Sequence, residues 1–251
     1  MIKIGILTSS GLSEFRVNSL KPILEDKECI IKVAIVDKRP KKTLKQKLKK
    51  NIKRGRGGYI VVMFFKTVFS EKKMNISIKE YSDAKGIDII ETPNPYSNET
   101  IESIKKYELD VLLLIGGYGI IKEPLLSIAP LGILSYHHGN IRKYRGMPPA
   151  FWELYNNETE MGVTVQILSV GLDCGLPVEE KVVKIERGDT LSRLQNRGYH
   201  ESADMMHKAI KKVADQRVTL NQIESFGKIY TLPNLRQWII FNLKILSRQF
   251  K

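Results

Sequence analysis

Leu131-Gly-Ile-Leu-Ser-Tyr-His137, followed at once by His138-Gly-Asn-Ile-Arg-Lys-Tyr-Arg-Gly146 and then Pro148 and Pro149, is the stretch on which the reading of this chain turns. The first seven residues alternate as a strand does, so Ser135 and His137 project from one face while Leu134 and Tyr136 point to the other. A strand that ends in histidine and opens into a loop rich in glycine and arginine is where an α/β protein places a working site.

Outward from this stretch, strands and helices alternate. Ile2 to Thr8 is a continuous apolar run, as expected of a strand covered on both faces. Ser9-Ser10-Gly11 turns into a helix through about Leu24, and Ile30 to Val36 reads as a second strand. Gly86 to Ile90 is strand-like, Ser97 or Asn98 can cap a helix carrying Ile101 and Ile104, and Leu109 to Ile115 forms a central strand. After a helix at Ala150 to Tyr155 and a turn at Asn156-Asn157 come strands Gly162 to Leu168 and Val178 to Ile185, one long helix from Thr190 to Val213, and an amphipathic basic helix from Leu235 to Phe250. The repetition predicts an α/β fold with a parallel, doubly wound sheet. It divides the chain into a domain over residues 1–215, with a basic insertion at about 40–75, and a short basic C-terminal extension at 216–251.

Composition narrows the class. With 251 residues, 42% of them hydrophobic, the chain can bury one large core. The most apolar run, Tyr59 to Phe69, is broken by Lys66 and is too short to cross a bilayer. No secretory signal is visible, and two cysteines, Cys29 and Cys174, make a disulfide framework unexpected, so a reducing cytoplasm is the expected compartment. A net charge of +14 calls for an anionic partner. From Lys41 to Arg56 the chain carries lysines and arginines with no acidic residue, and Leu44, Leu48 and Ile52 draw one apolar stripe along the resulting helix. That helix is either a solvated face or a patch for nucleic acid, a nucleotide or an anionic membrane surface. His200 and His207 form no convincing metal cluster in sequence, so no metal site is expected.

The block around His137 resembles the signature of the folate-dependent formyltransferases, which run Asn-x-His-x-Ser-Leu-Leu-Pro-x-Tyr-Arg-Gly-x-x-Pro, then Gly-Val-Thr, then Asp-x-Gly. His137, Tyr144-Arg145-Gly146, Pro149, Gly162-Val163-Thr164 and Asp173-Cys174-Gly175 fall in register with it. The likeness extends to the first strand and its Ser-Gly loop, to the strand and loop Leu109 to Ile121, and to Gly188-Asp-Thr190 at the start of a late helix. It departs at Ser135, where the family has asparagine, at Gly139, where it has serine, and at Asn140-Ile141-Arg142, where it has Leu-Leu-Pro.

The resemblance implies a Rossmann-like sheet and transfer of a formyl group from formyltetrahydrofolate to a primary amine. An amine attacking a formyl carbon creates an oxyanion and an ammonium that must lose a proton, and an imidazole paired with a carboxylate serves both needs. His137 and Asp173 take those roles, with Ser135 as a second, shorter-reaching donor. Ile115, Gly116, Gly117, Tyr118, Gly119, Ile120 and Ile121 are expected to line the pteridine pocket with Leu125 as an apolar wall, and Val170 and Leu172 to close its other side. Thr8 to Gly11, at a helix N-terminus, is a weaker candidate for a phosphate.

Several residues carry duller readings. A lone histidine is more often structural and an aspartate between glycines a turn former; register with the family outweighs this for His137 and Asp173. His138 is expected to be a loop residue, and Cys174 a small packing residue, since a neighbouring carboxylate disfavours a thiolate. The Gly116-Gly117-Tyr118-Gly119 loop is no dinucleotide fingerprint. The stretch after Val213 is too short for the barrel-like second domain of tRNA formyltransferases, which tilts the expected acceptor toward an amino sugar nucleotide. The alternatives are formyltetrahydrofolate hydrolysis and a catalytically weakened protein that binds nucleic acid or a membrane surface. If the Lys41 to Arg56 segment guides an anionic acceptor, neutralising several of its lysines will raise the acceptor KM and flatten its salt dependence with folate binding unchanged, as acceptor kinetics across a salt series will report.

Overall fold

The computed structural model describes residues 1–40, 43–53, 75–215, 220 and 222–250. The run Tyr59 to Phe69 and the end of the basic segment lie outside them. In chain order the elements are β1 (Ile2–Thr8), β2 (Gly11–Ser13), α1 (Glu14–Glu25), β3 (Cys29–Asp37), α2 (Leu44–Lys53), β4 (Asn75–Ser77), α3 (Ile78–Lys85), β5 (Asp88–Thr92), α4 (Asn98–Lys105) and β6 (Val111–Leu114). There follow β7 (Ile133–His137), β8 (Tyr144–Gly146), α5 (Phe151–Tyr155), β9 (Glu160–Ile167), β10 (Leu176–Lys184), α6 (Leu191–Glu201), α7 (Met205–Ala214), β11 (Lys228–Tyr230) and α8 (Leu235–Phe250).

Seven strands form one sheet in the order β10-β9-β7-β6-β1-β3-β5. The pairs β5-β3, β3-β1, β1-β6 and β6-β7 are parallel, and the central residues Ile4, Ile6, Ala34, Val111 and Leu113 are wholly buried. Alternation of apolar strands with helices that cover both faces explains the burial. β9 is the exception to an all-parallel sheet, since it runs antiparallel to both β7 and β10. A five-residue α5 rises only about 8 Å, too short to carry the chain back along a strand, so β9 begins at the end of the sheet where β7 leaves it. The chain leaves β1 toward β3 and β5, then returns to the other side of β1 at β6. The crevice at the C-terminal ends of β1, β6 and β7 is therefore a topological switch point, where such sheets bind ligands.

Two helices begin or end elsewhere than expected. α1 starts at Glu14, because Gly11 to Ser13 first pairs with Asn75 to Ser77 as a short antiparallel ribbon. The long helix expected from Thr190 to Val213 is two helices, broken at Ser202 to Asp204. The Tyr136 hydroxyl enters that break: it donates to Ser202 O at 2.7 Å and accepts the Met206 N–H at 3.0 Å, taking up backbone groups that a continuous helix would pair internally. Tyr136 also stacks on His138 at 5.4 Å, and Phe15 and Tyr199 meet the same imidazole edge-on at 5.1 and 4.7 Å. His138 thus joins α1, β7 and α6 in an aromatic cluster rather than lying free in its loop.

The C-terminal segment is tied to the loop that follows β7. β11 pairs in parallel with β8, the Arg145 guanidinium donates to Gly227 O at 2.7 Å, and Trp152 Nε1 donates to Met147 O and Thr231 O. On α8, Trp238 and Phe241 stack on Phe151 at 5.6 and 4.4 Å. The close approach leaves no room at Gly146, which sits at φ +92°, and a Cβ there would stand 2.0 Å from Tyr230 O.

Gly146→Ala must both strain this backbone and push β11 away, and it will lower unfolding free energy by about 2 kcal/mol or more, measured by denaturant titration. Two buried groups set opposite pH slopes. Burial pushes His138 down to about 3, and its Nε2 has no partner among the described residues. Between that value and 6.5 the unfolded chain takes up a proton that the fold excludes, so stability falls as pH falls. Burial pushes the Glu153 carboxyl up to about 7 from 4.5; across that window the fold keeps a proton that the unfolded chain releases, so stability falls as pH rises. Stability curves of His138→Phe and Glu153→Gln will lose the acid-side and the alkaline-side slope respectively.

Candidate active site

His137 is the last residue of β7, 7% exposed, with its strand neighbour Thr164 opposite it on β9. Its Nε2 lies 2.7 Å from Tyr144 O, an acceptor only, so the ring donates there. Its Nδ1 faces Asp173 Oδ2 at 3.4 Å. Both ring nitrogens therefore face oxygens that accept.

Asp173 comes from the Ser169 to Gly175 loop between β9 and β10. It sits at φ +48°, a left-handed conformation that aspartate tolerates. Its Oδ2 accepts the Gly146 N–H at 2.8 Å, so one carboxylate oxygen bridges the loop after β7 and the histidine itself. Further bonds hold the two loops in place. Arg145 Nη1 lies 2.7 Å from Cys174 Sγ, Ser169 Oγ donates to Cys174 O at 2.7 Å, and Gly175 N donates to Gln166 Oε1 at 2.9 Å. Cys174 is a bound packing residue of this turn, donating to Leu172 O at 3.3 Å.

Ser135 is 8% exposed, one strand repeat before His137 on the same face, and its hydroxyl makes a long contact to Tyr136 O at 3.5 Å. Its partner across the ladder is Gln166. Gly139 has a local reason to be glycine: a Cβ there would stand 2.6 Å from His137 Nε2 and 3.0 Å from Tyr144 O. A serine at this position would displace the ring or break its bond to Tyr144.

The loop after β6 approaches the same crevice. Gly116, Gly117 and Gly119 adopt φ of +140°, +97° and +72°. A Cβ on Gly116 would stand 2.2 Å from Arg16 Nη2, and one on Gly117 2.6 Å from Ser9 Cβ, so the first strand's loop and this loop touch at the switch point. Ile115, Tyr118, Ile121 and Leu125 are buried, the Tyr118 hydroxyl donating to Ile35 O at 2.9 Å; the loop presents Ile120, which is exposed, and its glycine backbone. On the opposite loop Val170 and Leu172 are exposed.

Residues that sequence reading passed over include Gln166, Arg16 and Glu153. Gln166 is legible in retrospect as a polar residue alternating with Val163, Val165 and Ile167 on β9. Arg16 donates to Gly11 O at 3.2 Å, and burial holds its guanidinium below the usual arginine value. Glu153 lines the cleft beside His137 with Gly139, Arg145, Met147 and Pro149. His207 lies apart from this cleft: its Nε2 is 2.8 Å from Asp26 Oδ2, Cys29 is beside them, and Lys211 stands 3.5 Å from the same carboxylate oxygen, so the group is paired within itself.

Comparison with known proteins agrees with this geometry. Residues 66–210 match the model of the formyl transferase family. The chain is 26% identical over 208 residues to methionyl-tRNA formyltransferase of Trichlorobacter lovleyi, covering 83% of this chain and 58% of that one. Glycinamide ribonucleotide transformylase 1 from Symbiobacterium toebii superposes with a TM-score of 0.61 at 21% identity, covering 88% of this chain and 91% of that one. The N-formyltransferase from Helicobacter canadensis, solved with folinic acid and dTDP-3-aminofucose, superposes with a TM-score of 0.57 at 19% identity, over 92% of this chain and 71% of that one. With its sheet order, its crevice and the sequence match in accord, this chain belongs to the formyl transferase family.

Proposed function

We propose that the chain is a folate-dependent formyltransferase that moves a formyl group from formyltetrahydrofolate to a primary amine on an anionic acceptor, an amino sugar nucleotide being the acceptor that the observations favour. The observation that carries the reading is the meeting of His137 and Asp173, from separate segments, at 3.4 Å in the crevice of the sheet. The donor supplies the formyl carbon. The acceptor nitrogen bonds to that carbon, the carbonyl oxygen gains negative charge, and the bond from the carbon to the folate nitrogen then breaks.

A proton on His137 Nδ1, held at a long distance from Asp173, is shared with the oxyanion as it forms. Asp173 orients that ring and takes the proton released by the attacking amine, which returns to the departing folate nitrogen. The glycine backbone of Gly116 to Gly119, exposed Ile120, and Val170 and Leu172 on the facing loop are the groups that would hold the folate. The acceptor's charge is met by a chain of net charge +14. An amino sugar nucleotide is further supported by the Helicobacter canadensis enzyme, solved with dTDP-3-aminofucose, and by WlaRD, a sugar 3N-formyl transferase solved with the nucleotide dTDP.

The deciding assay follows tetrahydrofolate release from formyltetrahydrofolate with and without a panel of amino sugar nucleotides. Release that depends on an acceptor supports transfer, and release without one replaces it by hydrolysis. His137→Ala and Asp173→Asn will each reduce transfer on the order of a hundredfold or more with melting temperature little changed; near-normal turnover in either removes the role assigned. Ser135→Asn, which restores the family's longer donor, will keep or raise kcat, and Ser135→Ala will lower it. Equal loss in both variants would mean that the pocket is built around the smaller serine.

A further inference from the structure

Helix α8 has two apolar stripes, and among the described residues only one of them is packed. Trp238, Phe241 and Ile245 pack toward the domain core. Leu235, Ile239, Leu243 and Leu246, spaced three or four residues apart, are 44%, 52%, 61% and 53% exposed. Helical spacing makes these four one continuous band facing water. Ile229 on β11 is also exposed, at 46%. A monomer seldom leaves an apolar band of this kind uncovered.

The charges around the band indicate what covers it. From Gly227 to Phe250 there is no acidic residue, while Lys228, Arg236, Lys244 and Arg248 are basic. Arg236 and Lys228 are exposed, and Lys244 is anchored on Tyr155 O at 2.6 Å. A second copy of this chain would set one cationic helix against another on bodies of net charge +14, with no acidic residue on either helix to offset the repulsion. Among the described residues no helix is long and apolar enough to cross a membrane.

We propose that the outward face of α8 docks on the anionic headgroup surface of a lipid bilayer, the helix lying in the interface with Leu235, Ile239, Leu243 and Leu246 in the acyl boundary and the exposed Arg236 and Lys228 at the phosphates. Interfacial helices combine these features, an apolar stripe, a basic polar face and modest overall hydrophobicity. Each basic side chain near an anionic surface adds about fivefold to partitioning. Because β11 precedes α8 and pairs with β8, a docked helix would also set the orientation of the His137 loop to the surface.

The test is co-sedimentation of the whole chain with vesicles of phosphatidylcholine alone and of phosphatidylcholine with phosphatidylglycerol in equal parts. Wild-type protein is expected to bind the anionic vesicles at least tenfold better than the neutral ones, and to lose binding as salt rises. The double variant Ile239→Glu, Leu243→Glu is expected to bind at least tenfold more weakly with an unchanged circular dichroism spectrum and melting temperature. If that variant melts earlier, Leu243→Ser alone carries the comparison, with the same direction of change. Three results overturn the proposal: no binding to anionic vesicles, equal binding by wild type and variants, or a wild-type dimer by light scattering that the variants convert to monomer, which would make this face a contact between copies.

Discussion

One carboxylate oxygen holds the candidate site together. Asp173 Oδ2 accepts the Gly146 N–H at 2.8 Å and faces His137 Nδ1 at 3.4 Å, so it ties the end of β7, the loop after it and the loop after β9. The two loops are not fixed by secondary structure of their own as β7 is. Their relative positions follow from that bond and from the supports behind it, the Gln166 amide on Gly175 and the Arg145 guanidinium beside Cys174. Polar groups in such a network are interdependent, since each leaves the others unsatisfied when it is lost.

The C-terminal segment belongs to the same construction. β11 lies against β8 closely enough that Gly146 tolerates no side chain, and Phe226 meets the Arg145 guanidinium at 5.4 Å. The residues that present Asp173 with its hydrogen bond are thus braced from a segment about eighty positions later in the chain. α8 completes the brace through the aromatic stack on Phe151, whose side chain is fully buried.

Two buried ionisable groups around this site, His138 and Glu153, are governed chiefly by burial. His138 is kept neutral within Phe15, Tyr136 and Tyr199, and Glu153 is driven toward its protonated form. Next to them, His137 is given two acceptors. Adjacent histidines on one strand end therefore have different surroundings because alternation turns one toward the crevice and the other into the aromatic cluster.

Local pattern alone determined the strands β1, β3 and β6, because a strand covered on both faces is largely apolar, and it determined β7 through the two-residue period that places Ser135 and His137 on one face. The order of motifs around His137 and Asp173 was equally legible, as was the α/β class. Pattern could not show that β9 runs against its neighbours, since strand direction leaves no mark on the residues of a strand and depends on how far the short α5 can carry the chain. Nor could it show the break between α6 and α7, where helical periodicity continues and the Tyr136 hydroxyl, arriving from β7, takes up backbone groups on both sides. Why position 139 is glycine, why Gly146 admits no Cβ, and why His138 is structural while His137 is not were likewise decided by packing: each depends on a neighbour remote in sequence, and such distances exist only once the chain has folded.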